Sequence, residues 1–542
     1  MTKSLLLLVV CAVYFTHVCA NVSNVHVIEW PWRNWQNGPP CPLRHHQQLV
    51  PQLDTSLLRS ALEEVNLLFE EEAVGLAQAG MPCGLAVSIV YGQQVLLEKG
   101  YGKLNKSTTQ PPTANTIFDV GSVTKIFTSL GLFHSVDKGL VNLDDKVTKF
   151  FNAENPPAFT INNPYSSDGA DAVTLRSLAA QSSGLPREAY CGVYPVTAQC
   201  LSDTMATQLN FEALSKIGLL FSPMTNAHYS NLGLALLGRC LERVWNVKYE
   251  DYMVNNIFLP LGMNSTGFEY TAEVKENMIT AYAIGQFPNG TYYTVPSSAS
   301  TTPLGWSAPC GGLYTSTADL VKFFQFIFNN TDSPVISQQM LDQYFTPAIP
   351  LPDGVSGFGS GTFEIYYANN YTTFTKGGVI TMAASLSIVP ELKLGASVMI
   401  NLNSGAQTDK MNAQIMKIMV PAIEAALNKS QVPLPLPPNY QDLLGHYGFG
   451  IPTILSMEEG APGTGVLKGT INVVGEVYFV WDSSQDYSNS TAFRYSAVQD
   501  SYLSCMGSAG SNNAIAYFSY YNGKQVVSLP DQNVSFYNIP KK

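Results

Sequence analysis

Basic side chains are scarce in this chain. Lys and Arg total 29 against 40 Asp and Glu in 542 residues, a net charge of −11 at pH 7. No run of five or more basic residues occurs. Neutralising nucleic-acid phosphates needs a basic face, so the balance argues against a nucleic-acid partner. Long apolar runs are also missing: beyond residue 20 none reaches the length that crosses a bilayer. The C-terminal "VSFYNIPKK" lacks the hydrophobic tail of a lipid-anchor signal. Zinc-type cysteine spacings are absent, and so are internal repeats and long low-complexity segments. His45 and His46 have no partner motif and read as polar surface rather than a metal site. No motif calls for a metal or an organic cofactor.

Hydrophobic residues make up 46% and charged residues 13%, the balance of a globular protein. The length exceeds one ordinary core and predicts two or three packed units. Residues 1–20 form a secretory leader: Lys3 supplies the positive end, Leu5 to Phe15 the apolar run, and Ala20 the small residue before expected cleavage at Asn21. An uncleaved signal anchor is the competing reading. Nine Asn-x-Ser/Thr sequons, at Asn21, Asn105, Asn264, Asn289, Asn329, Asn370, Asn428, Asn489 and Asn533, fit a secreted, extracellular glycoprotein. Seven cysteines remain after the leader, and an oxidising compartment permits disulfides. Cys191 and Cys200 flank a short Gly/Pro/Gln loop and are the first pair expected.

Residues 21–54 are rich in Pro, Trp and His and read as an irregular lead-in. Leu57, Leu58, Leu62, Val65, Leu68 and Phe69 recur at helical spacing and predict a helix over about 55–79. "CGLAVSIVYG" and "QQVLLEKGYG" predict a hairpin. A helix is expected from Ser122 to about Asp137, and a buried one over Asn231–Val244. Residues 148–300 read as mixed helix and loop. Two adjacent antiparallel strands follow in "AASLSIVP" and "LGASVMINLN", then a helix over about 406–427. A Pro-rich linker over 429–440 leads to a β-rich unit over 441–542. The main unit is therefore residues 55–428, of α+β class.

Three short motifs carry chemistry. In "DVGSVTKIFTSLG", Ser122 and Lys125 stand one helical turn apart and share a face. A serine hydroxyl is a poor nucleophile until a neighbour takes its proton, and a desolvated lysine can do so. The ordinary reading is a Ser cap followed by a snorkelling Lys. In "AHYSNLGLALLG", Tyr229 can act as base or relay if a cation lowers its pKa, and Asn231 can orient a substrate amide or the lysine. The ordinary reading is a packed Tyr and an Asn cap. In "FTKGGVITMAAS", Lys376 precedes Gly377 and Gly378, which would let a substrate approach the strand carrying Val379.

Together and in this order the motifs resemble Ser-x-x-Lys, Tyr-x-Asn and Lys-Gly-Gly of the serine β-lactamase and penicillin-binding protein superfamily, in its class C, D-aminopeptidase and esterase branch. The segments "TLRSLAAQSSGLP", "IFLPLGMNSTGF" and "PCGGLYTSTADLVKF" resemble further stretches of that family, so the likeness covers about residues 60–427. The animal β-lactamase-related proteins are the best match. The resemblance implies a β-lactamase/transpeptidase-like fold: an antiparallel sheet flanked by helices, with a helix-and-loop insertion and a lipocalin-like β domain at the C-terminus. It implies Ser122 as nucleophile, with Lys125 and Tyr229 sharing proton transfer and Asn231 positioning substrate. It also implies that Lys376 binds a substrate carboxylate or tunes Tyr229. Gly377 and Gly378 would shape the strand edge, and the backbone N–H groups of Ser122 and Val379 would form the oxyanion hole.

Two departures stand out. "VITMAAS" lacks the family's Pro-Gly-aromatic turn, and "AAQSSG" lacks its usual His. The expectation is a secreted serine hydrolase acting on a small-molecule or peptide substrate, at an amide, peptide or ester bond. The competing reading keeps the fold as a silent binding or structural protein. The apolar C-terminal unit could serve self-association or gate the cleft.

Overall fold

The computed structural model describes residues 53–539 apart from 82, 152–159, 167–171, 189–202, 298–302, 331–332, 369–370, 431–435, 450–452, 461–464, 466, 472–474, 482–485, 487–489, 498–514 and 530–533. The leader, residues 21–52 with His45 and His46, the pair Cys191–Cys200, and the sequons at Asn21, Asn370, Asn489 and Asn533 lie outside the described residues, as does the side chain of Asn428.

The chain enters through a 3-10 turn, Thr55–Leu58, that Asp54 caps by accepting from the Ser56 N–H at 2.9 Å. Helix Arg59–Gln78 continues from it and places Val65, Phe69, Ala73 and Leu76 inward. Strands β1 (Gly84–Tyr91) and β2 (Gln94–Gly102) form the expected hairpin, with Gly92 in the left-handed conformation at the turn. Short strands β3 (Phe118–Asp119) and β6 (Tyr314–Thr315) pair with each other. The segment between them carries helices, loops and a hairpin that periodicity did not reveal, β4 (Tyr282–Gln286) with β5 (Tyr292–Pro296). Its strands are short and largely solvated, so apolar alternation is weak there.

Strands β7 (Pro347–Pro350), β8 (Ser356–Gly359), β9 (Glu364–Ala368), β10 (Tyr371–Val379), β11 (Ala383–Val389) and β12 (Leu394–Ile400) complete an eight-stranded sheet. Its order is β2-β1-β12-β11-β10-β9-β8-β7, and each neighbouring pair is antiparallel. Strands β1, β11 and β12 are buried along their whole length, because helices cover both faces of the sheet. On one face Leu85, Val87, Ile89, Val398 and Ile400 pack against helix Arg59–Gln78 and the long helix Gly405–Ser430. That helix runs past Leu427 into the expected linker and holds Pro421 within it. On the other face Ala86, Val90, Leu386 and Ile388 join a larger core with Ile126, Phe127 and Leu130. Ser88 and Ser397, opposite each other in this apolar layer, satisfy one another at 2.7 Å.

Strands β13 (Gly445–Phe449), β14 (Thr453–Glu459), β15 (Leu467–Ile471), β16 (Gly475–Trp481), β17 (Thr491–Ala497), β18 (Ile515–Tyr521), β19 (Lys524–Leu529) and β20 (Val534–Asn538) close into an antiparallel barrel, β13 pairing with β20. Closure removes the exposed strand edges that an open sheet would carry. Tyr447, Leu455, Phe479, Phe493 and Phe518 fill it. Among the described residues no helix is long and apolar enough to cross a membrane.

Candidate active site

Ser122 lies in a 3-10 turn, Gly121–Val123, that feeds helix Thr124–Asp137. Gly121 adopts φ +49, and a Cβ there would come within 2.7 Å of the Val379 nitrogen. Only glycine lets this turn sit so close to the end of β10. From Thr124 to Ser135 the helix is buried, which holds the turn on a rigid base. Lys125 does not snorkel: it is fully buried. Its Nζ donates to Ser122 Oγ at 2.9 Å and to the Cys310 carbonyl at 2.5 Å.

Tyr229 reaches the same point from the loop before helix Asn231–Trp245. The ordinary reading of Asn231 as a cap is overturned. Ser230 is the cap, accepting from the Gly233 N–H at 2.8 Å, and Asn231 is the first residue of the helix. The Asn231 side chain is thereby freed from capping and donates to Glu188 instead. Gln181, which stands in the "AAQSSG" departure, ties down the loop. It is buried in the left-handed conformation, with its Oε1 accepting from the Ser230 N–H at 2.6 Å and its carbonyl from the His228 N–H at 2.8 Å.

Three cations surround the Tyr229 ring: Lys125 Nζ at 4.9 Å from its centroid, Arg187 at 4.8 Å and Lys376 Nζ at 5.1 Å. Burial opposes ionisation of the phenol. The charges of Lys125 and Lys376, with hydrogen bonds from Lys125 and Ser122, outweigh it and hold the Tyr229 pKa below the ordinary phenol value. The sequence called for such a cation, and the family resemblance offered Lys376 for it, with Lys125 expected to share proton transfer. Neither pointed to Arg187, which directly follows the recognised "SSGLP" stretch.

Lys376 is 2% exposed on β10 and donates to Glu364 Oε1 at 2.7 Å and to the Gly377 carbonyl at 2.9 Å. Burial disfavours its ammonium, but Tyr229, Glu364 and Asp409 keep its pKa above the ordinary lysine value. Strand β9 pairs with β10 only from Tyr371 to Thr375, so Lys376 to Val379 form an open edge among the described residues. A Cβ on Gly378 would lie 2.1 Å from the Val120 carbonyl and 2.6 Å from the Ser122 nitrogen, and one on Gly377 would lie 2.6 Å from an Asp409 carboxylate oxygen. The strand end thus lies directly against the Ser122 turn. Because backbone must shift to admit a methyl group, Gly378→Ala is expected to destabilise the protein by about 1–3 kcal/mol. Urea denaturation midpoints check this.

Asn231 donates its amide N–H to Glu188, which also pairs with Arg187 at 3.7 Å. Glu188 and Glu364 had no signal in the sequence beyond their residue type. Beneath the turn, buried Asp119 accepts from Tyr270 Oη at 2.7 Å and from Thr381 Oγ1 at 3.1 Å, joining the Ser122 turn to the residues after β10. Burial pushes its pKa up to about 7, against the lowering effect of those two bonds. The folded state therefore holds this proton more tightly than the unfolded chain. Stability from this group is full below its ordinary value of 3.8 and is lost as pH rises through about 7, by roughly 4 kcal/mol. Asp119→Asn is expected to raise the melting temperature at pH 8 and to bring no gain at pH 3.5, as paired thermal melts would show.

Cys83 and Cys310 are buried thiols without a disulfide. Asn264, Asn289 and Asn329 are exposed and Asn105 is half-buried, all at the surface of the described structure.

The arrangement is a serine hydroxyl held between a buried lysine and a tyrosine of lowered pKa, at the open edge of an antiparallel strand. The family model described as Beta-lactamase matches residues 72–418, which contain every one of these groups. The chain belongs to the beta-lactamase family. It is 31% identical to Beta-lactamase-like protein 2 of Dictyostelium discoideum over 393 residues, covering 71% of this chain and 67% of that one. Its fold resembles the octameric penicillin-binding protein homologue of Pyrococcus abyssi, with a TM-score of 0.55, 20% identity, and 88% of this chain and 100% of that chain covered. It also resembles a beta-lactamase/D-alanine carboxypeptidase of Yersinia pestis, with a TM-score of 0.55, 19% identity, and 68% and 100% covered. Proteins of the beta-lactamase family are serine hydrolases, and the three motifs that suggested this kinship meet around the Tyr229 ring.

Proposed function

We propose that this beta-lactamase-family protein is a secreted serine hydrolase that cleaves an amide, peptide or ester bond through an acyl-Ser122 intermediate. The contact between Lys125 and Ser122, with Tyr229 bonded to both, carries the reading. Ser122 Oγ attacks the acyl carbon as its proton passes to the Tyr229 phenolate, which Lys125 and Lys376 stabilise. The N–H groups of Ser122 and Val379 donate to the developing oxyanion. The bond to the leaving amine or alcohol then breaks, and the proton on Tyr229 passes to that group. A water molecule next gives a proton to Tyr229 and attacks the acyl carbon. The acid departs and Ser122 recovers its proton. Lys125 stays anchored by the Cys310 carbonyl and orients both hydroxyls.

The leader over residues 1–20 and the exposed sequons at Asn264, Asn289 and Asn329 support export and glycosylation. Intact-mass measurement after exposure to a phosphonylating serine probe tests the activity. One adduct mapping to Ser122 is the expected result. A folded sample left unmodified by several probe shapes would replace this reading with that of a silent binding protein.

A further inference from the structure

In the hydrolase reading, the oxyanion hole takes its two N–H groups from distant parts of the chain, Ser122 in its turn and Val379 at the end of β10. Donors stabilise a developing charge only if they are held in place beforehand, and a displacement of about 1 Å can cost on the order of 10²-fold in rate. Where the two parts meet, the contact is made by glycines. Gly121 faces the Val379 nitrogen, and Gly378 faces the Val120 carbonyl and the Ser122 nitrogen. Glycine permits this approach, but it brings no side chain to interlock, and its backbone is the most permissive of all. The spacing of the two donors therefore calls for a tie from outside the contact.

Such a tie runs through side chains. Thr381 Oγ1 donates to Asp119 Oδ2 at 3.1 Å across 262 residues, and both groups are buried. Each end is anchored. Asp119 stands three residues before Ser122, with its backbone paired to Tyr314 of β6. Its other oxygen accepts from Tyr270 Oη at 2.7 Å, which fixes the plane of the carboxyl. Thr381 is the middle residue of the turn between β10 and β11. Val379 pairs with Ala383 at the base of that turn, and the Ile380 N–H donates to the Met382 carbonyl at 3.0 Å within it. A hold on Thr381 is thus a hold on Val379, two residues away in a closed turn. This is the "VITMAAS" stretch in which the chain departs from the family pattern, and the departure supplies the hydroxyl. A hydroxyl donates to a carboxylate and accepts from a carboxylic acid, so the tie survives in either protonation state of Asp119.

Resting on the hydrolase reading, we infer that Asp119 and Thr381 are positioning residues for acylation of Ser122: their bond straps the β10–β11 turn to the end of β3 and sets the separation of the Ser122 and Val379 N–H groups. Neither residue touches the substrate. Tyr270 orients the carboxyl but does not join the two halves of the hole.

The test is the rate at which a fluorophosphonate probe labels Ser122, followed by intact mass, with kcat/KM for p-nitrophenyl acetate alongside and a thermal melt of every variant. Thr381→Val keeps the shape of the side chain and removes the hydroxyl. It is expected to slow labelling and ester turnover at least tenfold in a folded protein. Thr381→Ser returns the hydroxyl and is expected to recover most of that loss. Tyr270→Phe removes the other bond to the same carboxyl and is expected to stay within about threefold of the wild type. Asp119→Ala should be as slow as Thr381→Val, and combining the two should cost less than about twofold more. The infrared carbonyl stretch of acyl-Ser122 during turnover reads the hole directly: it should rise in Thr381→Val, because weaker hydrogen bonds to that oxygen leave more double-bond character. Wild-type rates in Thr381→Val, an equal loss in Tyr270→Phe, or a slowed Thr381→Val with an unmoved carbonyl stretch would each overturn the inference while leaving the hydrolase reading intact. Should Asp119→Ala fail to fold, the other three variants decide, and labelling alone decides if the ester is not turned over. If wild-type Ser122 takes no probe and no ester is cleaved, the hydrolase reading fails and this inference falls with it.

Discussion

Ser122→Ala is expected to lower turnover of any accepted ester by a factor on the order of 10⁴ to 10⁶, with no covalent adduct remaining. The size of the effect follows from the mechanism, since the acyl-enzyme cannot form without Oγ. Little else should change. The turn is shaped by Gly121 and Gly378 rather than by the serine side chain, and Lys125 keeps its bond to the Cys310 carbonyl. Stability should therefore move by less than about 1 kcal/mol. Steady-state kinetics with a thermal melt on the same sample separates the two effects. Turnover that persists undiminished in the variant would place the chemistry elsewhere in the molecule.

Tyr229→Phe carries the second largest effect. Phenylalanine keeps the ring beneath Lys125, Arg187 and Lys376 but removes the hydroxyl that bonds to Ser122 and Lys125. Packing and most of the cation–π attraction survive, so the substitution isolates proton transfer. Loss of a positioned base typically costs on the order of 10² to 10⁴ in rate, and acylation should fall by that much. The pH dependence gives a second readout. As base, Tyr229 must be ionised, so the wild-type rate should rise with pH through the phenol's lowered pKa and level off above it. That limb should vanish in the Phe variant. A variant that keeps the limb and most of the rate would instead assign proton removal to Lys125.

Much of this site could be read locally. Ser122 and Lys125 are one turn apart, and their spacing alone raised the question of a nucleophile and its base. The hairpin β1–β2 was announced by its alternation, and the strands β11 and β12 and the helix starting at Asn231 by short apolar runs of their own. Other features were not legible because their partners are distant in sequence. The Cys310 carbonyl that anchors Lys125 is 185 residues away. Gln181 holds the Ser230 N–H across 49 residues. In the sequence, Gln181 was visible only as a departure from a familiar pattern. Strands β4 and β5 were missed because a largely solvated hairpin leaves no apolar alternation to detect.

The sequence by itself determined which chemical groups are present and in what order: a serine and lysine at a helix entrance, a tyrosine and asparagine before a buried helix, and a lysine with two glycines at a strand end. These follow from short-range rules, in which residue type and spacing set turns, caps and faces. The tertiary structure alone decided what those groups experience. Packing removed Lys125 from solvent, set three cations around Tyr229, gave the cap to Ser230 and committed Lys376 to Glu364. The physical reason is that desolvation and ion pairing depend on distance in space. Residues far apart along the chain reach that distance only when the sheet and its covering helices close on both faces.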